Sequence, residues 1–207
     1  MKKLLVVLGL LALLPGAAFA QDAPSTYFVD YFANNPGPVP GAADQVLRII
    51  NVGKGGTPLT SPVGDICANI YVFNNDQELI ACCAERITPN ELDSASVGNQ
   101  LTNNPVTSVV PTAGVIKIVT TLARTGTCSP TSWSGAADAT QAVVFGTHLQ
   151  VTGGATFVTE TEKLSSPLAT TDPSGASGEA GFLQQACAFA IYLGSGKGTC
   201  SSSVPGK

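Results

Sequence analysis

The chain has 207 residues, 44% of them hydrophobic and only 12% charged, with a formal net charge of −4 at pH 7. That length holds one domain with a substantial core, and the clustering of Val, Ile and Leu excludes a disordered chain. The mild acidity excludes an electrostatic footprint for nucleic acid or anionic lipid.

Residues 1–20 have the anatomy of a secretory signal peptide: Lys2-Lys3, an apolar run from Leu4 to Leu14, then Pro15-Gly16 and the small-residue close Ala18-Phe19-Ala20. The run falls short of the roughly 20 apolar residues that a spanning helix needs. The mature protein is expected to begin near Gln21, without membrane insertion, and to be secreted to the cell surface or beyond. Without Lys2 and Lys3 the ten basic residues fall to eight against fourteen acidic, a balance of −6. The low charge suits a surface packed against copies of itself, or a plain Thr/Ser-rich exterior.

Residues 25–34 are aromatic and β-branched and read as a strand, with Tyr27, Val29 and Tyr31 on one face and Phe28, Asp30 and Phe32 on the other. Asn35-Pro36-Gly37-Pro38-Val39-Pro40-Gly41 can be neither strand nor helix and reads as a linker. Residues 21–41 are thus expected to form a strand arm on a tether, ahead of a domain over 42–207. Residues 45–52 read as a core strand and 53–62 as a loop. A hairpin follows, with arms at 67–73 and 78–84 around the turn cluster Asn74-Asn75-Asp76-Gln77. Residues 114–122, 141–151 and 155–162 are further strands. Near the end, Phe182, Leu183, Ala186, Cys187, Ala190 and Ile191 recur at helical spacing, predicting a helix near 178–193 that stops at Gly194. The expected fold is mainly β: an antiparallel β-sandwich with one C-terminal helix packed on it, stapled by disulfides.

The six cysteines, Cys67, Cys82, Cys83, Cys128, Cys187 and Cys200, read as up to three disulfides in an exported chain. Adjacent Cys82 and Cys83 point to opposite faces of a strand, so each is expected to find its own partner. Hairpin register favours Cys67 with Cys83, and proximity favours Cys187 with Cys200. No metal or other cofactor is expected, because there is no C-x-x-C pair and His148 is the only histidine.

The stretches at 66–92, 114–119 and 183–200 resemble a group of uncharacterised secreted, cysteine-containing bacterial proteins, a resemblance that carries over no functional residues. A signal peptide, an N-terminal strand on a tether and a disulfide-bearing sandwich also resemble, in plan, filament subunits joined by donor-strand complementation.

Catalytic motifs are wanting. Gly194 to Thr199 fails as a phosphate loop, because Ile191 stands at its first Gly position and Gly198 replaces the hydroxyl after Lys197. Gly175-Ala176-Ser177-Gly178 lacks the spacing of a nucleophile elbow. His148 alone reads as structural, and Glu160 with Glu162 as a solvated strand face in preference to a glycosidase pair. Lys117 offers either a Lys–Asn cross-link with Asn69 or a plain sheet-edge charge. The chain is therefore expected not to be an enzyme. It reads as a structural extracellular protein, the subunit of a surface filament assembled by exchange of an N-terminal strand bearing Tyr27, Phe28, Val29, Tyr31 and Phe32, with copies of itself as partners. The alternative is a monomeric secreted module binding a peptide, glycan or protein, with Trp133 as its exposed anchor.

Overall fold

Strand alternation decides the architecture. In a computed structural model that describes residues 26–37, 39–53, 64–104, 106–123, 127–133, 142–169, 178–194 and 200, nine strands form two antiparallel sheets and one helix covers the first of them. The expected signal peptide at 1–20, residues 195–199 and most of the expected 53–62 loop lie outside the described residues. The strands are β1 (Tyr27–Phe32), β2 (Val46–Asn51), β3 (Ile66–Asn74), β4 (Leu79–Ile87), β5 (Leu92–Ser96), β6 (Gly114–Leu122), β7 (Ala142–Thr152), β8 (Ala155–Lys163) and β9 (Ser165–Ser166), followed by helix α1 (Glu179–Leu193). One sheet has the order β4-β3-β6-β1-β9 and the other β5-β2-β7-β8.

Between the sheets, Phe28 and Phe32 of β1 meet Leu47 and Ile49 of β2, Ile70 and Val72 of β3, Ile116 and Ile118 of β6, and Val144 of β7. The two faces of β1 are sorted as expected, and the structure shows which is buried: Phe28 and Phe32 point inward, Val29 and Tyr31 outward. β3 is buried on both faces over eight of its nine residues, because α1 lies on its outer side. There Tyr71, Phe73, Cys82 and Val119 pack with Leu183 and Cys187 of the helix. The result is three layers, helix on sheet on sheet, and the hydrophobicity of both faces of β3 follows from it.

The helix ends as expected, with the Gly194 N–H bonded to the Ala190 carbonyl. Its buried stripe is narrower than predicted: Ala180, Leu183, Cys187 and Ala190 are inside, whereas Phe182 is half exposed, its ring stacked 6.2 Å from that of Phe73. The β3–β4 turn is held by the Asn74 side chain, whose Oδ1 accepts from the backbone N–H of Asp76 and Glu78. β7 and β8 are joined by Gly153-Gly154, both at positive φ, as a tight two-residue hairpin turn requires.

Three elements escaped the sequence, one of them the two-residue β9. β5 (LDSAS) has little strand propensity and exists because it pairs with β2, Ala95 opposite Leu47. A single π-helical turn at Val97–Leu101 follows it, capped by the Ser96 hydroxyl on the Asn99 N–H.

The three disulfides correct the expected pairings. Cys67 joins Cys128, Cys82 joins Cys187 and Cys83 joins Cys200. Register explains why Cys67 does not reach Cys83: Cys67 lies opposite Arg86, and Cys83 opposite Ile70. Cys83 faces the inter-sheet core, whereas its neighbour Cys82 packs under the helix. The expectation that adjacent Cys82 and Cys83 find separate partners on opposite faces holds. Cys187 does face inward, but the sulfur it meets belongs to the sheet and not to Cys200.

Candidate functional site

The N-terminal arm is the first candidate, and in the single chain it is a strand of its own sheet. β1 is bonded along its whole length to β6, from Tyr27 opposite Val119 to Phe32 opposite Gly114. On its other edge, among the described residues, Tyr27 and Phe28 are paired, with Ser166 and Ser165 of β9. The segment after it is anchored, which corrects the reading of a loose tether. The buried Asn35 side chain donates to Thr102 Oγ1 at 2.9 Å and to the Pro111 carbonyl at 3.1 Å, and the Asn35 N–H reaches the Thr112 carbonyl. Asp44 then accepts from the Gly98 N–H at 2.9 Å and from the Ser96 hydroxyl.

The second candidate was not found from the sequence. Asp30 points inward from β1 between Phe28 and Phe32, 4% exposed. A carboxylate there must be partnered, since an isolated buried charge is prohibitive. Its partners come from the other sheet. His148 Nε2 of β7 lies 2.8 Å from Asp30 Oδ1, and Lys163 Nζ of β8 lies 2.8 Å from the same oxygen. Lys163 Nζ is also 3.1 Å from His148 Nε2 and donates to Thr161 Oγ1 at 2.8 Å. Asp30 Oδ1 further accepts from the Tyr31 N–H, and the Tyr31 ring stacks on the imidazole with centroids 4.1 Å apart. Gly146 makes room for this: a Cβ there would lie 1.8 Å from Asp30 Oδ2. Burial, and then the Lys163 charge, hold the His148 imidazole below its ordinary range, with Asp30 pulling the other way. The neutral ring can pass a proton between its two neighbours. The sequence signal was present, an acid on the apolar face of β1, but its partners lie over a hundred residues away.

The remaining sequence candidates separate. Lys117 sits on β6, an interior strand between β3 and β1, and pairs with Glu179 at the start of α1 at 2.5 Å. That corrects both the sheet-edge reading and the Lys–Asn cross-link, because Asn69 instead donates to the Val119 carbonyl. Glu179 also accepts from the Tyr27 hydroxyl, and burial pushes that phenol up. Trp133 is no exposed anchor. It packs against the helix-side cluster, and its indole N–H donates to the Tyr71 hydroxyl at 2.7 Å. Glu160 pairs with Arg48, so Glu160 and Glu162 do not form a carboxylate pair in a cleft. Among the described residues no group of three or more His, Cys, Asp or Glu side chains could hold a metal ion, and no helix is long and apolar enough to cross a membrane.

A third feature is a groove of about 220 Å³ between α1 and the β3–β4 turn, lined by Phe73, Leu79, Val106, Phe182, Phe189 and Leu193.

The sequence matches no protein-family model and no curated protein. Among solved structures, the crystal structure of Thermotoga maritima 1070 is similar over 69% of this chain and 95% of its own, with a TM-score of 0.43 and 10% identity. The Anabaena sensory rhodopsin transducer is similar over 48% of this chain and 90% of its own, with a TM-score of 0.34 and 13% identity. Likenesses at this level leave the function to be argued from the chain itself.

Proposed function

We propose that this is a structural extracellular protein that works as the repeating subunit of a surface filament or fibre, with β1 as the strand exchanged between copies. The observation that carries the reading is the way β1 is seated. It plugs the gap between the sheets with Phe28 and Phe32, is laddered fully on one edge, and is paired on the other through two residues. Withdrawn, it would leave a groove that the same strand from a neighbour fills with identical contacts, so exchange changes the connection and not the interface. Each buried Phe contributes about 1.5–3 kcal/mol to holding such a junction. The three disulfides fit an oxidising compartment. A second reading, a monomeric binding module, is favoured by the apolar groove beside α1.

The test is a concentration series of the protein that begins at Gln21, followed by light scattering and negative-stain microscopy. Assemblies that resist dilution, and that vanish when residues 21–41 are deleted, support exchange. Protein that stays monomeric at every concentration, and whose deletion variant is not rescued by a peptide of residues 21–41, overturns it in favour of the binding module.

A further inference from the structure

We infer that Asp30 and Lys163 are the two halves of an autocatalytic amide cross-link, formed between β1 and β8 with His148 as the proton relay. The bond can form whichever copy supplies β1: closed within one chain it holds β1 in its own subunit, and closed between copies it locks an exchanged strand.

Four observations place the reaction here. First, Lys163 Nζ is 2.8 Å from Asp30 Oδ1, so the amine is held in contact with the carboxyl group it would attack and needs no encounter to reach it. Second, both groups are removed from water, the Asp30 side chain 3% and the Lys163 side chain 11% exposed. A buried ion pair repays its desolvation poorly, whereas a neutral amide in the same place carries no charge to desolvate. Third, one nitrogen, His148 Nε2, touches both reactants, at 3.1 Å from the amine and 2.8 Å from the oxygen that must leave. Fourth, the reactants are held: Thr161 Oγ1 and the Tyr31 N–H orient the amine and the carboxyl, Tyr31 stacks on the imidazole, and Gly146 gives Oδ2 its space.

The step balances within the protein. The Lys163 ammonium gives one proton through His148 Nε2 to Asp30 Oδ1, leaving an amine and a carboxylic acid. The amine attacks the Asp30 carboxyl carbon, and the Nζ–C bond forms. A second proton follows the same route from the nitrogen to the hydroxyl, the C–Oδ1 bond breaks, and one water departs. No oxidant, reductant or cofactor enters. The nitrogen keeps one hydrogen, and His148 ends as it began.

Intact mass spectrometry of the folded protein decides the matter. The expected mass, counted from the observed first residue, is lower than the sequence requires by one water beyond the six hydrogens of three disulfides. Protease digestion after reduction should release a branched peptide containing Asp30 and Lys163. Lys163→Arg keeps the charge but has no amine able to condense, and should recover the full mass. His148→Gln should slow closure by about 100-fold or more, as loss of a proton relay does. Once the mass deficit is present, a denaturing gel of reduced protein locates the bond: a single band places it within the chain, and a ladder places it between copies. Wild-type protein whose mass shows no missing water after prolonged incubation, with unbranched Asp30 and Lys163 peptides recovered in full, overturns the inference.

Discussion

Removing the Cys82–Cys187 bridge, by replacing both cysteines with Ala, exposes how the disulfides divide their labour. Taken alone this bridge closes a loop with a sequence separation of 105, and Cys83–Cys200 one of 117. In the chain-entropy description each alone would stabilise by about 4.7 kcal/mol. They are not independent. With Cys83–Cys200 closed, the route from Cys82 to Cys187 runs one residue to Cys83, across the bridge, and back along the chain from Cys200, about fourteen residues, a loop worth about 3 kcal/mol. The first bridge removed should therefore cost about 3 kcal/mol, whichever of the two it is, and the second about 4.7 kcal/mol. The pair together approaches the whole stability of an ordinary domain, about 5–15 kcal/mol. Chemical denaturation of the two single-bridge variants and the double variant, in oxidising buffer, measures all three values. Equal costs for first and second removal, or a first removal under about 1 kcal/mol, would refute the nested-loop reasoning and with it this connectivity.

Gly146→Ala should destabilise by about 3–5 kcal/mol, because the new Cβ displaces Asp30 from Lys163, so that the amide cannot close and the buried charges are left unpaired; a urea midpoint close to wild type would show that Asp30 has room elsewhere. Acid should weaken the fold through His148. Its folded-state value is lowered, first by burial, so the unfolded chain binds the proton more readily. The stability it contributes is complete above the unfolded value of about 6.5 and is lost as pH falls from there through the folded value. Unfolding free energies measured across this window should slope for wild type and flatten for His148→Gln, and an unchanged slope counts against it. Burial still acts if Asp30 and Lys163 are joined, so the sign is the same in either covalent state.

Much of the fold was legible because its signals are local. Alternation sorted β1 into its two faces, Gly114–Leu122 was bounded as observed, and the Asn74-Asn75-Asp76-Gln77 cluster marked the hairpin. The helix was found by period and its end by Gly194. What failed was whatever depends on partners distant in sequence. The disulfide pairing needed the register of β3 against β4, since a bridge from Cys67 to Cys83 asks for two sulfurs on one face and the ladder puts them on opposite ones. β5 has no propensity of its own and is made by its neighbour β2. Trp133 was taken for a surface anchor because a Ser/Gly-rich context looks exposed, but Tyr71 holds its indole. The charge cluster left one trace, Asp30 between two inward phenylalanines, which demanded a partner without naming it.

The covalent framework is lopsided, and that gives β1 its significance. The three disulfides end on β3, β4, α1, Cys128 and Cys200, so no sulfur reaches β1, β2, β5, β7 or β8. β1 is therefore retained by its ladder with β6, by Phe28 and Phe32, and by the Asp30 cluster. A new bridge can report which copy it belongs to. Val29 and Lys117 are direct partners in the β1–β6 ladder, on the outer face, at antiparallel spacing that falls within the Cα range of about 4.4–6.8 Å a disulfide accepts. Val29→Cys with Lys117→Cys gives up the partly buried contact with Glu179 and leaves the core between the sheets untouched. If β1 stays in its own chain, oxidation after the native bridges have closed yields a covalent monomer on a non-reducing denaturing gel. If β1 is exchanged, the same bridge closes between copies and yields a ladder that collapses to one band on reduction. The readout depends on which chain supplies the strand and not on how stable the assembly is, so a uniform monomer from protein that has been concentrated would end the strand-exchange reading.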